Sequence, residues 1–390
     1  MSWETGLGIL LGTLSGLLPG LHLNNVSFAF VQFFPSWGLA GMLVIVSATL
    51  AHTVFDFLPS ILLGAPDENF LSVLPGHAMV LEGKGLHAIQ YALLGCLLGG
   101  IFALLLSLLL IPLYAQNENF WKWFIPWILL FWMMGMVWRS KHKLFALLII
   151  AASGAFGLLS ISFPAEYGLI AFISGFFGAS VMVQSLKAKS KWVPQSLQHS
   201  PIEWREVFPF SLLGAVAGGI VSLLPSLGPS EAAALSQSLV VKHSRERFLV
   251  LLGAINASNA LLGFGLWFSL GKLRTGSAVA LDALGAVSFP DFVTLMLAAV
   301  SALCISVFLA WNFSPYFIRL LEKVSYSKLN WAVLALLCAF VLLLTPPFAW
   351  LLFAAAASLG VVCSNWNVRK TSGMAFLMLP TIVLFWGLSF

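Results

Sequence analysis

The chain has 390 residues, of which 60% are hydrophobic and only 8% are charged, and its mean hydropathy is +0.98. A soluble protein carries about 25% charged residues, so this composition excludes an ordinary soluble domain and predicts an integral membrane protein. The net charge of +5 does not indicate a nucleic-acid partner, because most basic residues lie in short loops between apolar segments.

Continuous apolar segments long enough to cross a bilayer begin near residue 37 and continue to the end of the chain. Ten such spans are predicted, at 37–64, 86–114, 120–138, 144–163, 167–186, 248–271, 290–311, 331–346, 347–363 and 373–390. Two further apolar segments, 5–34 and 207–241, are interrupted by glycine and proline. Each of their halves is expected to have about 12–15 residues, which is too short to cross alone.

The two interrupted segments resemble each other. Residues 8–25 and 214–231 align at a constant offset of 206, and both contain Leu-Leu-Pro followed by a turn with polar groups. A second match, between 74–85 and 274–285, has an offset of 200. Paired interrupted segments in two halves of a membrane protein are typical of the binding site of a secondary transporter.

The loop charges predict the topology, because cytoplasmic loops are enriched in lysine and arginine. The loops at 139–143, 187–206 and 242–247 are basic, so segment 207–241 must enter and leave on the same side, as a re-entrant hairpin. This arrangement places sixteen basic residues in the cytoplasm, three outside, and both termini outside.

The resulting fold class is an all-α polytopic membrane protein with ten transmembrane helices and two re-entrant hairpins in two inverted repeats. Repeat one covers 1–186, a cytoplasmic linker covers 187–206, and repeat two covers 207–390. The first hairpin enters from outside and the second from the cytoplasm.

The hairpin turns are the predicted binding site. Glycine lets the backbone approach a ligand, and the N-terminal end of the half-helix after each turn suits an anion. The alternative is that the turns only kink packed helices. The predicted substrate-binding residues are Gly20, His22, Asn24, Asn25, Ser226, Gly228, Ser230, Asn256 and Asn259.

Three ionisable residues are predicted to couple transport to H⁺ or Na⁺. Glu231 follows the second turn inside an apolar region, where an acid is costly and therefore a functional candidate. His52 and Asp56 are four residues apart and share a helix face. Structural alternatives remain open: Glu231 capping a helix, His52 and Asp56 forming an ion pair, and Asn256 and Asn259 joining helices.

Three stretches resemble the large membrane subunit of tripartite tricarboxylate transporters, the TctA type. They are LSGLLPGLHLNN at 14–25, SLLPSLGPSEA at 222–232 and ILLGAPDENFLSVLPGHAMVLEGKG at 61–85. The resemblance implies cation-coupled uptake of a carboxylate, together with a small membrane subunit and a solute-binding protein. The chain differs from the family pattern at His22-Leu23, where Gly-Pro is usual, and at Ser226, where glycine is usual.

The expected function is therefore a permease for a small organic anion in the cell membrane, which works by alternating access and is not an enzyme. The alternatives are a lipid-phosphate flippase and a membrane-embedded enzyme or scaffold. No nucleotide-binding, zinc or nucleophile motif is present, so no cofactor is expected besides a coupling ion. A homo-oligomer is compatible with the sequence.

Overall fold

The computed structural model describes residues 2–18, 21, 23–63, 75–162, 165–186, 193–198, 201–223, 244–271 and 275–387. Every regular element within those ranges is helical, which confirms the all-α class. In the described part of the chain, nine helices are long and apolar enough to cross a membrane. The chain is therefore a multi-pass membrane protein.

The described residues of the first half form ten α-helices. They are α1 (Trp3–Leu17), α2 (Leu23–Phe33), α3 (Gly38–Phe55), α4 (Phe57–Leu63), α5 (Pro75–Leu81), α6 (Gly85–Gln116), α7 (Glu118–Arg139), α8 (Lys143–Ser160), α9 (Ala165–Ile173) and α10 (Ser180–Ser185). A π-helix, Ser174–Ala179, joins α9 to α10. Helices α3 and α4 together form one span, Gly38–Leu63.

The second half contains seven described α-helices. They are α11 (Trp204–Leu223), α12 (Arg245–Leu270), α13 (Gly276–Ala283), α14 (Phe289–Lys323), α15 (Tyr326–Leu344), α16 (Pro347–Asn365) and α17 (Ala375–Phe385). A short 3₁₀-helix, Lys370–Met374, precedes α17. Each of the ten predicted spans coincides with a helix, although the apolar helices at Asn330–Leu344 and Lys370–Phe385 are shorter than the other eight.

Of the described helices in the two interrupted segments, one is longer than the predicted length of about 12–15 residues. Helices α1 and α2 have 15 and 11 residues, in keeping with short half-helices. Helix α11, however, has 20 residues and is long enough to cross a membrane alone. The prediction of short arms is therefore wrong for α11, because the helix begins at Trp204, before residue 207, and continues without a break to Leu223.

Both interrupted segments begin and end on the same side of the bundle. The rings of Trp3 and Trp37 flank the first segment and lie 5.6 Å apart. Glu206 and Arg247 flank the second and form an ion pair. Each segment therefore returns to the end at which it entered, as a re-entrant hairpin requires.

The flanks of the two hairpins lie at opposite ends of the α3–α4 span. Helix α3 begins beside Trp37, whereas the end of α4 lies beside the start of α6, because Leu62 contacts Gly85. The same end carries Glu82, which pairs with Arg245 at the start of α12. Opposed hairpins are what inverted repeats require, although inversion of the complete repeats remains a prediction.

Glycines bring α1 close to α3, and α11 close to α12. A methyl group added at Gly12 would lie 2.3 Å from the carbonyl oxygen of Ala48 and 2.7 Å from Cβ of Ala51. The contacts of Gly8, at Val44, Ser47 and Ala48, reappear for Gly214 at Leu251, Ala254 and Ile255. The contacting residues of α1 and α11 differ by 206 in number, and those of α3 and α12 differ by 207. The α1–α3 and α11–α12 crossings therefore have the same register.

The helices form two groups. A core bundle consists of α1, α3, α4, α5, α6, α11, α12 and α14, whose buried side chains belong mainly to one apolar cluster. An outer bundle consists of α7 to α10 and α15 to α17, with the π-helix and the 3₁₀-helix. Helices α2 and α13 contact each other and α3, and Phe30 of α2 and Leu281 of α13 belong to the apolar cluster of the core bundle.

The outer bundle shows a second recurring crossing. Gly157 of α8 lies against Phe376 and Pro380, and Gly360 of α16 lies against Phe176 and Ser180. The offset between these pairs is 203 for the glycines and 200 for their partners. The two repeat matches found in the sequence, at 8–25 and at 74–85, do not include these residues.

Candidate functional site

A polar cluster lies near the middle of the span formed by α3 and α4. Its central residue, Thr49, is 11 residues after Gly38 and 14 before Leu63, which is about 17 Å and 21 Å along a helix. The cluster is built by α2 of the first hairpin, by α3, and by α13 of the second half. Polar groups at this depth are costly unless they interact with one another or with a ligand.

The N-terminal ends of α2 and α13 meet in this cluster. Asn24 is the second residue of α2, and a methyl group added at Gly276, the first residue of α13, would lie 2.5 Å from Cβ of Asn24. The hydroxyl of Thr275 caps α13 by accepting a hydrogen bond from the Ala278 amide at 3.1 Å. Because each helix end carries a partial positive charge, the contact brings two such ends together at mid-depth.

Three hydroxyl groups from three helices lie beside these ends. Oγ of Ser277 is 3.4 Å from Oγ of Ser27 and 3.3 Å from Oγ1 of Thr49. Thr49 also donates to the carbonyl oxygen of Ile45 at 2.8 Å. Ser27 and Ser277 are both buried. None of the three residues is among the predicted site residues, because isolated serines and threonines in apolar helices carry no distinctive sequence pattern.

Asn25 connects the first hairpin to the outer bundle. Its side chain is fully buried and donates a hydrogen bond from Nδ2 to Oγ of Ser174 at 2.8 Å, while Oδ1 has no hydrogen-bond partner. Ser174 is the first residue of the π-helix, an element often found at functional sites. Lys370 donates to the carbonyl oxygen of Phe176 in the same π-helix and to Ser180, the first residue of α10.

His52 and Asp56 lie at the level where the first hairpin turns. Nδ1 of His52 is 2.9 Å from Oγ of Ser15 in α1, and Asp56 forms a side-chain hydrogen bond with Ser60. Both side chains are half-buried. Their predicted role in ion coupling remains a prediction, and so does the alternative of a structural ion pair.

Asn256 and Asn259 lie on α12, where both are half-buried. In the register of the glycine crossings they are the counterparts of Thr49 and His52. Between them, Ser258 is buried and donates to the carbonyl oxygen of Ala254 at 2.6 Å. This position supports neither the substrate role nor the helix-joining role over the other.

The remaining predicted site residues lie outside the described residues. These are Gly20, His22, Ser226, Gly228, Ser230 and Glu231. Their roles in binding and ion coupling stay predictions.

The end of the bundle near Glu82 carries a polar network that the motifs did not predict. The linker attaches there, because the Ser196 amide donates to the carbonyl oxygen of Gly83 at 2.8 Å and the Gly85 amide donates to Oε1 of Gln195 at 2.8 Å. The Arg245 guanidinium, hydrogen-bonded to Glu82, holds the pKa of that carboxyl below its usual value. A cavity of about 500 Å³ opens beside this network.

Nine helices of the described residues are long and apolar enough to cross a membrane, and they define the general class, a polytopic membrane protein with a polar cluster in its interior. The sequence model of the tripartite tricarboxylate transporter TctA family matches residues 5–375. The chain therefore belongs to this family, which confirms the resemblance and identifies it as a component of a transport system. It is also 27% identical, over 97% of both chains, to an uncharacterized protein of Methanocaldococcus jannaschii.

Proposed function

We propose that this protein is a permease that carries a small organic anion, a carboxylate, through the membrane by alternating access coupled to an ion gradient. The observation that carries the proposal is the meeting of the α2 and α13 helix ends at Asn24 and Gly276. Each helix N-terminus acts as about half a positive charge. Two of them offer about one unit of charge and several N–H donors, which suit one carboxylate.

The placement of this pair supports a transport role for the site. The Asn24 amide adds a further donor, and the neutral hydroxyls of Ser27, Thr49 and Ser277 lie beside the pair without adding a fixed charge. The partial charges of the helix ends stabilise an anion electrostatically, but more weakly than a fixed cationic side chain would. Binding that is not too strong allows the ligand to leave on the other side.

The division into two bundles supports alternating access. Beside the site, α2 and α13 pack against the outer bundle through Phe28, Ile170 and Val341. Apolar contacts are non-directional, so the two bundles can slide along this surface with a smaller loss of interaction energy than along a hydrogen-bonded surface. The Asn25–Ser174 hydrogen bond is a directional contact that such a movement would break and re-form.

Family membership supports partners for this function. A tripartite system includes a small membrane subunit and a soluble solute-binding protein, and we propose that equivalents deliver the anion to this chain. The family also favours transport over the enzyme and scaffold alternatives. The lipid-flippase alternative predicts transport of a phosphate headgroup, which the following experiment detects.

The test is uptake by proteoliposomes that contain the purified chain, with labelled mono-, di- and tricarboxylates or inorganic phosphate and with Na⁺ or H⁺ gradients. Asn24→Asp changes one amide to an acid at a helix N-terminus, where an acid favours the helix. Its repulsion of a bound anion at about 5 Å costs about 3 kcal/mol, or about a hundred-fold in affinity. The matched control is Asn117→Asp, in the exposed turn before α7.

We expect carboxylate uptake by the wild type and by Asn117→Asp, and its loss in Asn24→Asp with unchanged thermal stability. Equal uptake by Asn24→Asp would place the anion elsewhere. Uptake of phosphate, or flipping of a labelled phospholipid, without carboxylate uptake would favour the flippase alternative.

A further inference from the structure

The hydroxyl cluster at mid-depth has the geometry of a cation site. Oγ of Ser27, Oγ1 of Thr49 and Oγ of Ser277 belong to three different helices, and Ser277 lies 3.4 Å and 3.3 Å from the other two oxygens. Hydrogen bonds between hydroxyls are usually shorter, with a mode near 2.7–2.8 Å. These contacts are therefore long for a cluster held together only by its own hydrogen bonds.

The distances of 3.3 and 3.4 Å between these hydroxyl oxygens match the distance between two oxygen ligands of one cation. Ligand oxygens about 2.4 Å from a cation lie about 3.4 Å apart when their bonds to the ion are at right angles. Thr49 can donate to the carbonyl oxygen of Ile45 at 2.8 Å or to Ser277 at 3.3 Å. Its single proton serves only one acceptor, and donation over the shorter distance to Ile45 leaves the lone pairs of Thr49 for an ion.

The chemistry of the ligands selects the class of ion. Hydroxyl oxygens are neutral, whereas Ca²⁺ and Mg²⁺ sites generally include carboxylates. Asp56, the carboxylate on the same span, is seven residues from Thr49, or about 10 Å along the helix. Among the described residues, no group of three His, Cys, Asp or Glu side chains could hold a metal ion. A monovalent cation that binds oxygen therefore fits best.

We propose that Na⁺ binds among the hydroxyls of Ser27, Thr49 and Ser277. Three ligands are too few to complete its shell, and the adjoining Asn24 and Gly276 mark the place proposed above for the anion. A carboxylate bound there reaches the open side of the ion and completes the coordination. The ion site stands on the hydroxyl geometry, whereas its coupling to the anion rests on the proposed function.

This arrangement couples the two ligands by direct contact. Na⁺ lowers the cost of placing a carboxylate at mid-depth, and the carboxylate supplies the charge that the neutral hydroxyls lack. Thermodynamic linkage then requires each ligand to raise the affinity of the other by the same factor.

The experiment measures the thermal stability of the purified full chain in detergent during titration with NaCl, with KCl or choline chloride at equal ionic strength as the reference. No organic anion is present in this first arm. We expect Na⁺ to stabilise the wild type. Thr49→Val, which keeps the shape but removes the hydroxyl, should raise the half-saturating Na⁺ concentration at least about ten-fold, and so should Ser277→Ala.

Two variants separate ion binding from helix packing. Ser47→Ala removes a different hydroxyl of α3, which is fully buried and has no hydrogen-bond partner among the described residues, and it should leave the Na⁺ dependence unchanged. Thr49→Ser keeps the hydroxyl and should retain wild-type Na⁺ dependence even if it lowers the melting temperature. A fall in stability at every salt composition, with the same half-saturating Na⁺ in Thr49→Val, would show that the cluster only joins helices.

A second arm repeats the titration with the carboxylate that proteoliposomes take up. Stabilisation by Na⁺ without any carboxylate uptake would keep the ion site and reject the proposed function. Carboxylate uptake that is indifferent to Na⁺, with no Na⁺ stabilisation of the wild type, would overturn the ion site and leave the anion permease standing.

Discussion

Substitution of Gly12 by alanine tests how closely the first hairpin must pack on α3. The added methyl group would lie 2.3 Å from the carbonyl oxygen of Ala48, 2.7 Å from Cβ of Ala51 and 2.9 Å from the amide nitrogen of His52. Two of these atoms are backbone atoms, which cannot rotate away. Ordinary contacts require about 3.5 Å, so α1 must move outward by about 1 Å.

The expected loss of stability is moderate. An extra methyl group in a well-packed interior costs about 1–3 kcal/mol, and the better helix propensity of alanine returns up to about 1 kcal/mol. The net destabilisation should therefore be about 1–2 kcal/mol. The functional loss should be larger, because a shift of α1 lengthens the 2.9 Å contact between Ser15 and His52 at the hairpin turn. A misplacement of about 1 Å reduces activity about a hundred-fold in comparable sites.

The measurements are the thermal unfolding of the purified protein in detergent and the initial rate of carboxylate uptake. Gly135→Ala is the matched control, because a methyl group at Gly135 in α7 meets no atom within 4 Å. It should leave uptake unchanged and stability equal or higher. If Gly12→Ala equals Gly135→Ala in both measurements, the close packing of α1 on α3 does not matter for either property.

Three further predictions concern the charged end of the bundle and its topology. Glu206→Gln should destabilise the protein by about 1–2 kcal/mol, because it leaves the half-buried Arg247 without its carboxylate partner. The double variant Glu206→Leu/Arg247→Met should recover most of this lost stability, as measured by chemical denaturation. Arg245 lowers the pKa of Glu82, so the ionised Glu82 stabilises the folded protein at pH values above the ordinary pKa of a glutamate. The difference in melting temperature between the wild type and Glu82→Gln should therefore vanish as the pH falls through the lowered pKa. Its persistence at low pH would contradict the ion-pair explanation. Single cysteines at 84, 203 and 244 should react with an impermeant thiol reagent from one side of the membrane and a cysteine at 36 from the other, and labelling of all four from one side would refute the opposed hairpins.

Most of the architecture can be predicted from the sequence, because membrane spans and charged loops are recognisable from their local sequence alone. Long apolar segments report spans directly, and the loop charges restrict where segment 207–241 can end. The ion pair between Glu206 and Arg247 agrees with that restriction. Helix α11 is longer than predicted because it begins at Trp204, before the start of the predicted segment at residue 207.

The site was only partly predictable because it is made by contacts between distant parts of the chain. Asn24 and Asn25 follow a recognisable turn motif, so the sequence selects them. Ser277 is 250 residues from Ser27, and nothing local distinguishes it from other buried serines. One signal was available: residues 274–285 match residues 74–85, which marks α13 as a special segment without indicating what it contacts.

The registers of the glycine crossings also argue that the two halves of the protein bind different ligands. At the offset of 207, Thr49 corresponds to Asn256, and at the offset of 200, Ser277 corresponds to His77. At the hairpin offset of 206, Ser27 corresponds to Ala233. Each hydroxyl of the proposed Na⁺ site is thus replaced by another group in the second half, so this set of ligands occurs once. A permease built on this plan would take one Na⁺ at the hydroxyl site in each cycle.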